Sequence, residues 1–125
     1  MLGDMSTRLR ARFPDLADAL EALEGDDIAA LVERVASDAA STTGVVVPEG
    51  SLAELTQWAA EVDDTGWTTD PAGEPTQDEG AFHRARAAFA VRDACAVRER
   101  PEAAADSLYE SVMAMGLPAV QAHLA

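Results

Sequence analysis

The sequence contains no lysine and a single cysteine. None of its apolar runs approaches the ~20 residues needed to span a bilayer. One cysteine, Cys95, cannot form an internal disulfide, so the fold must be held by its core, as is usual in a reducing compartment. The N-terminal stretch MLGDMSTRLRAR is charged and is not followed by the apolar segment of a signal peptide. We therefore expect a soluble, cytoplasmic protein.

Positive charge is also scarce, because nine arginines stand against 23 carboxylates and give a net charge of −14. Binding to nucleic acid or to an anionic membrane requires clustered cations, so neither is expected as a partner. The charge is unevenly spread: Arg34 is the only basic residue between residues 13 and 80, whereas residues 81–100 carry five arginines. Two explanations remain open. Acidic outer helices could pack round a basic central helix, or an acidic face could be kept for a basic partner.

Most of the chain has apolar residues at helical spacing, and 125 residues suffice for one domain. Ser51 and Glu54 form a capping box that predicts the start of a helix. Another clearly amphipathic stretch, which we expect to begin after an N-cap at Asp26, has an apolar face formed by Ile28, Leu31, Val32, Val35, Ala36 and Ala39. We predict a single all-α domain over residues 1–125. It would be a small bundle of five to seven helices around a central helix at about 79–99, with a frayed N-terminus at residues 1–5.

The segment at about 79–99 is predicted to be central because its apolar residues do not form one stripe. Phe82, Ala85 and Phe89 share a face, but Val91 and Cys95 lie on other sides. A helix that is apolar on most sides is usually surrounded by other helices. Cys95 is accordingly expected to be a small buried residue rather than a nucleophile.

Val45, Val46 and Val47 precede Pro48 and favour an extended backbone, because all three are β-branched. The rest of the chain offers no obvious strand with which they could pair. We therefore expect a buried extended connector, and a strand formed with another copy of the chain is the alternative.

Residues 63–80, DDTGWTTDPAGEPTQDEG, contain six carboxylates, three glycines, two prolines and no basic residue. We expect a long acidic loop, and loops of this length are usually functional or disordered. Trp67 is its one large apolar residue, and two interpretations remain open. It could fold back as a lid onto the core, against Trp58, Phe82 or Tyr109. Alternatively, it could anchor a partner-binding surface whose rim is formed by acidic residues. Those residues are Asp63, Asp64, Asp70 and Glu74.

No pattern for catalysis or metal binding is found. The carboxylates around Gly66 and Gly73 do not match the spacing of a calcium-binding EF-hand loop. His83 and Cys95 differ by about 120° in direction on one helix, so they cannot converge on one zinc ion. The sequence also lacks a nucleophile elbow and a phosphate-binding glycine loop. We predict no catalytic residue, metal or cofactor, and these absences favour a non-enzymatic protein.

The leading hypothesis is an acidic interaction protein that binds a basic protein partner, for example as an inhibitor or immunity-type protein. The alternative is a small helical enzyme, or a domain that binds a ligand or divalent metal, with its pocket between the central helix and the acidic loop. Alanine-rich helix faces bury less apolar area than leucine-rich ones. A homodimer that shares a helix surface is therefore as well supported as a monomer.

Overall fold

The computed structural model describes residues 7–124, which form seven α-helices and one small hairpin. The helices are α1 (Thr7–Arg12), α2 (Pro14–Glu21), α3 (Gly25–Thr43), α4 (Leu52–Thr65), α5 (Glu79–Ala96), α6 (Ala103–Met115) and α7 (Leu117–Ala122), and the strands are β1 (Trp67–Thr69) and β2 (Pro75–Gln77). The predicted all-α bundle is confirmed. The predicted fraying of residues 1–5 lies outside the described residues. Among the helices of the described chain, none combines the length and hydrophobicity required to cross a bilayer.

Helix α5 is the central element, because it packs against α3, α4 and α6. Its buried side chains point to several sides of the helix, and most of them are alanines. Small side chains let the neighbouring helices approach closely, and the hydroxyl of Ser107 on α6 donates a 2.8 Å hydrogen bond to the carbonyl of Ala90. The helix ends at Ala96, slightly earlier than the predicted boundary.

The larger core side chains come from the helices around α5. Leu16 and Leu20 of α2, Val32 and Val35 of α3 and Leu108 of α6 are almost completely buried. Every predicted inward position of α3 is buried, which confirms its periodicity. These positions are Ile28, Leu31, Val32, Val35, Ala36 and Ala39.

The predicted N-cap of α3 is wrong. The helix already includes Gly25, and its N-cap is Glu24, whose backbone is extended and whose side chain makes no capping hydrogen bond. Asp26 and Asp27 instead lie in the first turn, where a negative charge interacts favourably with the helix dipole. At α4 the predicted capping box is present. Ser51 Oγ accepts a hydrogen bond from the Glu54 amide, and Glu54 Oε1 accepts one from the Ser51 amide.

The connector after α3 is not buried as expected, since Val46 is 86% exposed and Val47 is 40% exposed. Helix α3 ends at Gly44, which has a left-handed backbone, and the Val45 amide donates to the Ala40 carbonyl at 2.9 Å. This C-terminal cap turns the chain away from the helix axis. The chain then runs over the surface to α4, and only Val45 remains partly covered. Cys95, also expected to be buried, is exposed as well.

The acidic loop at 63–80 is not free of secondary structure, because β1 and β2 form an antiparallel hairpin within it. Trp67 pairs with Gln77, Thr68 with Thr76 and Thr69 with Pro75. The turn is held by Asp70, whose Oδ1 accepts hydrogen bonds from the amides of Ala72 and Glu74, both at 2.9 Å. The expectation of a long loop was therefore wrong for the part of this segment that forms the hairpin. The strands are short and polar, so they lack the apolar alternation by which strands are recognised.

Candidate functional site

Residues 49–79, which we call the acidic lobe, contain α4, the hairpin and the start of α5. They carry nine carboxylates and no basic residue. Within the described chain Asp63 is the only one of the nine with a cationic partner, Arg86, at 3.9 Å. The other carboxylates of the lobe are Glu49, Glu54, Glu61, Asp64, Asp70, Glu74, Asp78 and Glu79.

Ion pairs are concentrated in the rest of the described chain, although its 13 carboxylates still outnumber its nine arginines. Five arginines lie within 3.7 Å of carboxylates that belong to elements outside the acidic lobe; they are Arg8, Arg10, Arg86, Arg92 and Arg98. The first explanation of the uneven charge therefore accounts for part of the molecule, and an acidic face for a basic partner stays a prediction. Complementary charges hold the helical body together, while the acidic lobe keeps most of its negative charge uncompensated.

Trp67 lies on β1 and is 48% exposed. Aromatic ring pairs in residues 7–124 join Phe13 to Tyr109 and Phe82 to His83, and Trp67 takes part in neither. The structure therefore does not show the lid arrangement, in which the indole would cover the core. Instead, the indole is half exposed on a hairpin whose own charged residues, Asp70 and Glu74, are both negative.

Two of the predicted rim residues are used inside the fold. Asp63 is half-buried, and its Oδ1 accepts a hydrogen bond from Gln77 Nε2 at 3.1 Å and lies 3.9 Å from Arg86 Nη2. It thereby connects the end of α4 to β2 and to the central helix. Asp70 holds the hairpin turn through its two backbone amides. Both side chains are therefore already engaged in contacts within the fold, and a bound partner would have to compete with those contacts.

Asp64 and Glu74 are exposed and have no side-chain hydrogen bond or ion pair in the described part of the chain. Asp64 lies at the end of α4, three residues before Trp67, and Glu74 lies where the hairpin turn meets β2. Of the five predicted site residues, Trp67, Asp64 and Glu74 are therefore open to solvent, and Asp63 and Asp70 support the hairpin that carries them.

Sequence reasoning missed a second polar cluster, between α5 and α6. Glu110 has a side chain only 7% exposed, and it accepts hydrogen bonds from Arg86 Nη1 at 3.1 Å and from Arg8 Nη2 at 3.3 Å. Asp93 is buried to a similar degree and accepts a 2.8 Å hydrogen bond from Arg92. Burial raises the pKa of both carboxyls, and the neighbouring arginines oppose that rise.

This cluster has the geometry of a structural network. Each buried carboxylate has a guanidinium within hydrogen-bonding distance, and Arg8, Arg86 and Glu110 together join α1, α5 and α6. The only sequence signal was the position of Glu110 between apolar residues of α6. A charged residue in that position is almost never fully buried unless it is paired.

Metal ligands do not converge in the described chain. Among residues 7–124, no three His, Cys, Asp or Glu side chains are grouped so that they could hold a metal ion. His83 is half-buried beside Phe82, with the two rings 5.9 Å apart, and Cys95 lies exposed near the other end of α5.

An open groove of about 260 Å³ lies between the connector after α3, helix α4 and the start of α5. This is the region where the alternative hypothesis placed a pocket. Its lining is mostly apolar and contains no carboxylate, cysteine or histidine. The lining residues are Val45, Val46, Trp58, Val62, Thr65, Gly66, Ala81 and Arg84.

No protein-family model, curated protein or solved structure matches the chain. Its function must therefore be inferred from its own residues.

Proposed function

We propose that this chain is a non-enzymatic interaction protein whose acidic lobe binds a basic protein partner. One observation carries the proposal: the lobe exposes Trp67 among carboxylates of which Asp63 alone has a cationic partner within residues 7–124. The alternative, an enzyme or a divalent-cation site, has a groove in the expected place. The lining of that groove, however, contains no carboxylate, cysteine or histidine.

Charge and indole contribute to such binding in different ways. Uncompensated carboxylates attract a basic surface before contact and raise the association rate, although salt screens this attraction beyond ~8 Å at physiological ionic strength. An exposed tryptophan provides a large apolar contact area, and tryptophan is enriched among the residues that dominate binding energy. The partner surface that fits is therefore basic and contains an apolar recess for the indole.

A basic active site is one surface of this kind, because lysines and arginines that bind an anionic substrate surround a recess. An inhibitor or immunity-type role, in which the acidic lobe masks such a site, is the concrete form that we favour. Its high negative charge would then serve rapid capture of the partner, since steered association can exceed unsteered rates by orders of magnitude.

Affinity capture from the native host tests the proposal, with three variants of the chain as bait. Trp67→Ala is expected to lose most of the captured basic protein, because the apolar anchor is removed. The double variant Asp64→Asn/Glu74→Gln is expected to slow association several-fold at low salt, and much less at high salt.

Glu33→Gln/Glu99→Gln is the matched control, because it removes the same two charges from exposed positions outside the acidic lobe. It should capture the partner as well as the unmodified chain does. Equal capture by all the variants, or an equal loss in the control, would contradict the proposal.

A further inference from the structure

The hairpin of the acidic lobe leaves the backbone of β1 unpaired along its outer edge. Where the turn begins, the Asp70 amide donates to the Glu74 carbonyl at 2.9 Å, so these two residues form a hydrogen-bonded pair. Bonded and non-bonded pairs alternate along an antiparallel ladder. The pairs that Thr69 and Trp67 form with β2 are consequently non-bonded. The amide and carbonyl groups of these two residues point away from β2, and within residues 7–124 they have no hydrogen-bond partner.

The outer edge of β2 is protected against further pairing, whereas that of β1 is not. On β2 the outward-facing positions are Pro75 and Gln77, and Pro75 has no amide hydrogen to donate. Proline, charged side chains and bulges are the usual means by which an edge is kept from pairing. Trp67–Thr69 contains none of them, and its three exposed residues are of the aromatic and β-branched types that favour strands. A further strand can therefore pair along the whole of β1.

Negative groups lie at both ends of this edge. Before β1, helix α4 ends with the exposed Asp64, and its last turn contains no basic residue. The helix thus provides no cation of its own for the negative end of its dipole. After β1, Asp70 and Glu74 belong to the turn, and neither forms an ion pair in the described part of the chain. A cationic side chain is therefore favoured at each end of the edge, and Trp67 offers apolar surface between them.

We propose that an extended segment of the basic partner adds to β1 as a third, antiparallel strand of the hairpin. Its backbone pairs with Trp67 and Thr69, which lie two residues apart, as pairing with a single added strand requires. An apolar side chain opposite Trp67 packs against the indole, and a lysine or arginine at each end lies near Asp64 and near Asp70. This inference rests on the proposed function and states how the partner meets Trp67.

Charge disfavours a second copy of the chain as the occupant of this edge. If two copies paired β1 with β1 about a twofold axis, their acidic lobes, each with nine carboxylates, would face each other. Like charges placed opposite each other oppose such pairing. A basic segment instead brings cations to a lobe in which Asp63 alone has a cationic partner among the described residues.

The amide resonances of the isotope-labelled chain test the pairing directly. The probe is a short, end-blocked peptide whose central residues are, in order, lysine, threonine, threonine, leucine and lysine, so that the leucine lies opposite Trp67 in an antiparallel pair. On titration, the amides of Trp67 and Thr69 should shift and should exchange more slowly with solvent. The amide of Thr68, which is directed towards β2, should change little. A peptide with glutamate in place of both lysines should not cause these changes.

N-methylated peptides separate strand addition from contact by charge and indole alone. Methylation of the leucine amide, which faces β1, should weaken binding about tenfold, because a hydrogen bond is lost and the methyl group collides with the edge. Methylation of the amide of the second threonine is the matched control, since that amide faces away from β1 in the added strand. It should change the affinity by less than about twofold.

Thr69→Pro makes the same test from the side of the protein, because it removes an edge-facing amide and leaves the bonded pairs of the hairpin in place. It should weaken peptide binding about tenfold. Thr69→Val is the matched control, since it keeps the amide and the β-branched shape, and it should bind the peptide as the unmodified chain does. If the Thr68 amide shows that Thr69→Pro disrupts the hairpin, the methylated peptides decide the question on the unmodified chain.

The remaining outcomes are equally definite. If the two methylated peptides bind alike, the segment does not add as a strand and the inference is wrong, while the proposed function is untouched. If the peptide leaves the amides of Trp67 and Thr69 unchanged, the inference is also overturned, and the proposed function is judged by capture with Trp67→Ala. If these amides shift with protein concentration when no peptide is present, a second copy occupies the edge and the inference fails.

Discussion

The guanidinium of Arg86 lies 3.1 Å from Oε2 of Glu110, so the central helix and α6 are joined by a nearly buried ion pair. The same guanidinium lies 3.9 Å from Asp63 at the end of α4. One arginine thus connects the helical body with the acidic lobe. The guanidinium carbon also lies over the rings of Phe82 and Phe89, at 5.5 and 4.8 Å from their centroids.

Replacing Arg86 with methionine should destabilise the protein by roughly 3 kcal/mol, because Glu110 would keep only its weaker bond to Arg8 in a buried site. The double variant Arg86→Met/Glu110→Leu should recover much of that loss, since no buried charge is then left unpaired. Urea unfolding measures both variants. If the double variant is less stable than Arg86→Met, the buried network contributes more than its desolvation costs, and this expectation fails.

Stability should rise as the pH falls towards the ordinary carboxyl pKa of about 4. Glu110 and Asp93 have pKa values raised by burial, so over this range the folded state binds more protons than the unfolded chain does. The free energy of unfolding therefore increases as the pH falls through the raised pKa values, and the gain is complete near the ordinary carboxyl value of about 4. Thermal unfolding across this range measures the slope.

Glu110→Gln should reduce that pH dependence, because one of the two titrating groups is removed. Glu99→Gln removes one charge from an exposed position and serves as the control for the general effect of net charge. An equal slope in the two variants would show that Glu110 does not contribute to the pH dependence.

Asp63 and Asp64 should differ sharply in their effect on stability, although they are identical and adjacent. Asp63→Asn weakens the contact with Arg86 and disturbs the hydrogen bond from Gln77, so a loss of about 1 kcal/mol is expected. Asp64→Asn changes an exposed side chain and should stay within about 0.5 kcal/mol. Chemical unfolding of the two variants tests whether the side chain of Asp63 stabilises the fold. Equal stabilities of the two variants would contradict that role.

Gly66→Ala should destabilise the junction between α4 and the hairpin. A Cβ at this position would lie 2.9 Å from Gln77 Nε2 and 3.0 Å from the Cβ of Ala81. The backbone angle itself is ordinary, with φ at −80°, so the cost is steric and should be about 1–2 kcal/mol. Gly25→Ala is the control, because a Cβ there meets nothing within 4 Å. Equal melting temperatures for the two variants would contradict this expectation, because they would show that Gln77 and Ala81 can move to accommodate the added methyl group at little cost.

The features predicted correctly from the sequence depend on residues that are close together along the chain. The periodicity of α3 and the capping box of Ser51 and Glu54 follow from helical spacing and from hydrogen bonds within one turn. The N-cap at Asp26 was wrong because several acidic residues near Glu24 could take the position. The hairpin was missed because its strands are short and polar, and its register is fixed by the turn at Asp70.

The candidate site could be predicted only in part. Composition identified the acidic segment and its tryptophan, but whether Trp67 covers the core or stands in solvent depends on the packing of distant residues. Asp63 and Asp64 look equivalent in the sequence, and only the contact of Asp63 with Gln77 and Arg86 separates them. The exposure of Val46 likewise could not be predicted, because it depends on the direction that the chain takes after the C-terminal cap at Gly44.

The exposed position of Cys95 affects how self-association of this protein should be measured. As the sole thiol, it allows two copies to become covalently cross-linked in air, which could be mistaken for a non-covalent dimer. Partial burial and the nearby charge of Glu33 raise the pKa of this thiol, so its reactive thiolate is scarce at neutral pH and cross-linking should be slow. Fresh samples kept with a reductant will report the true mass, and the same thiol offers a single attachment point for a fluorescent label.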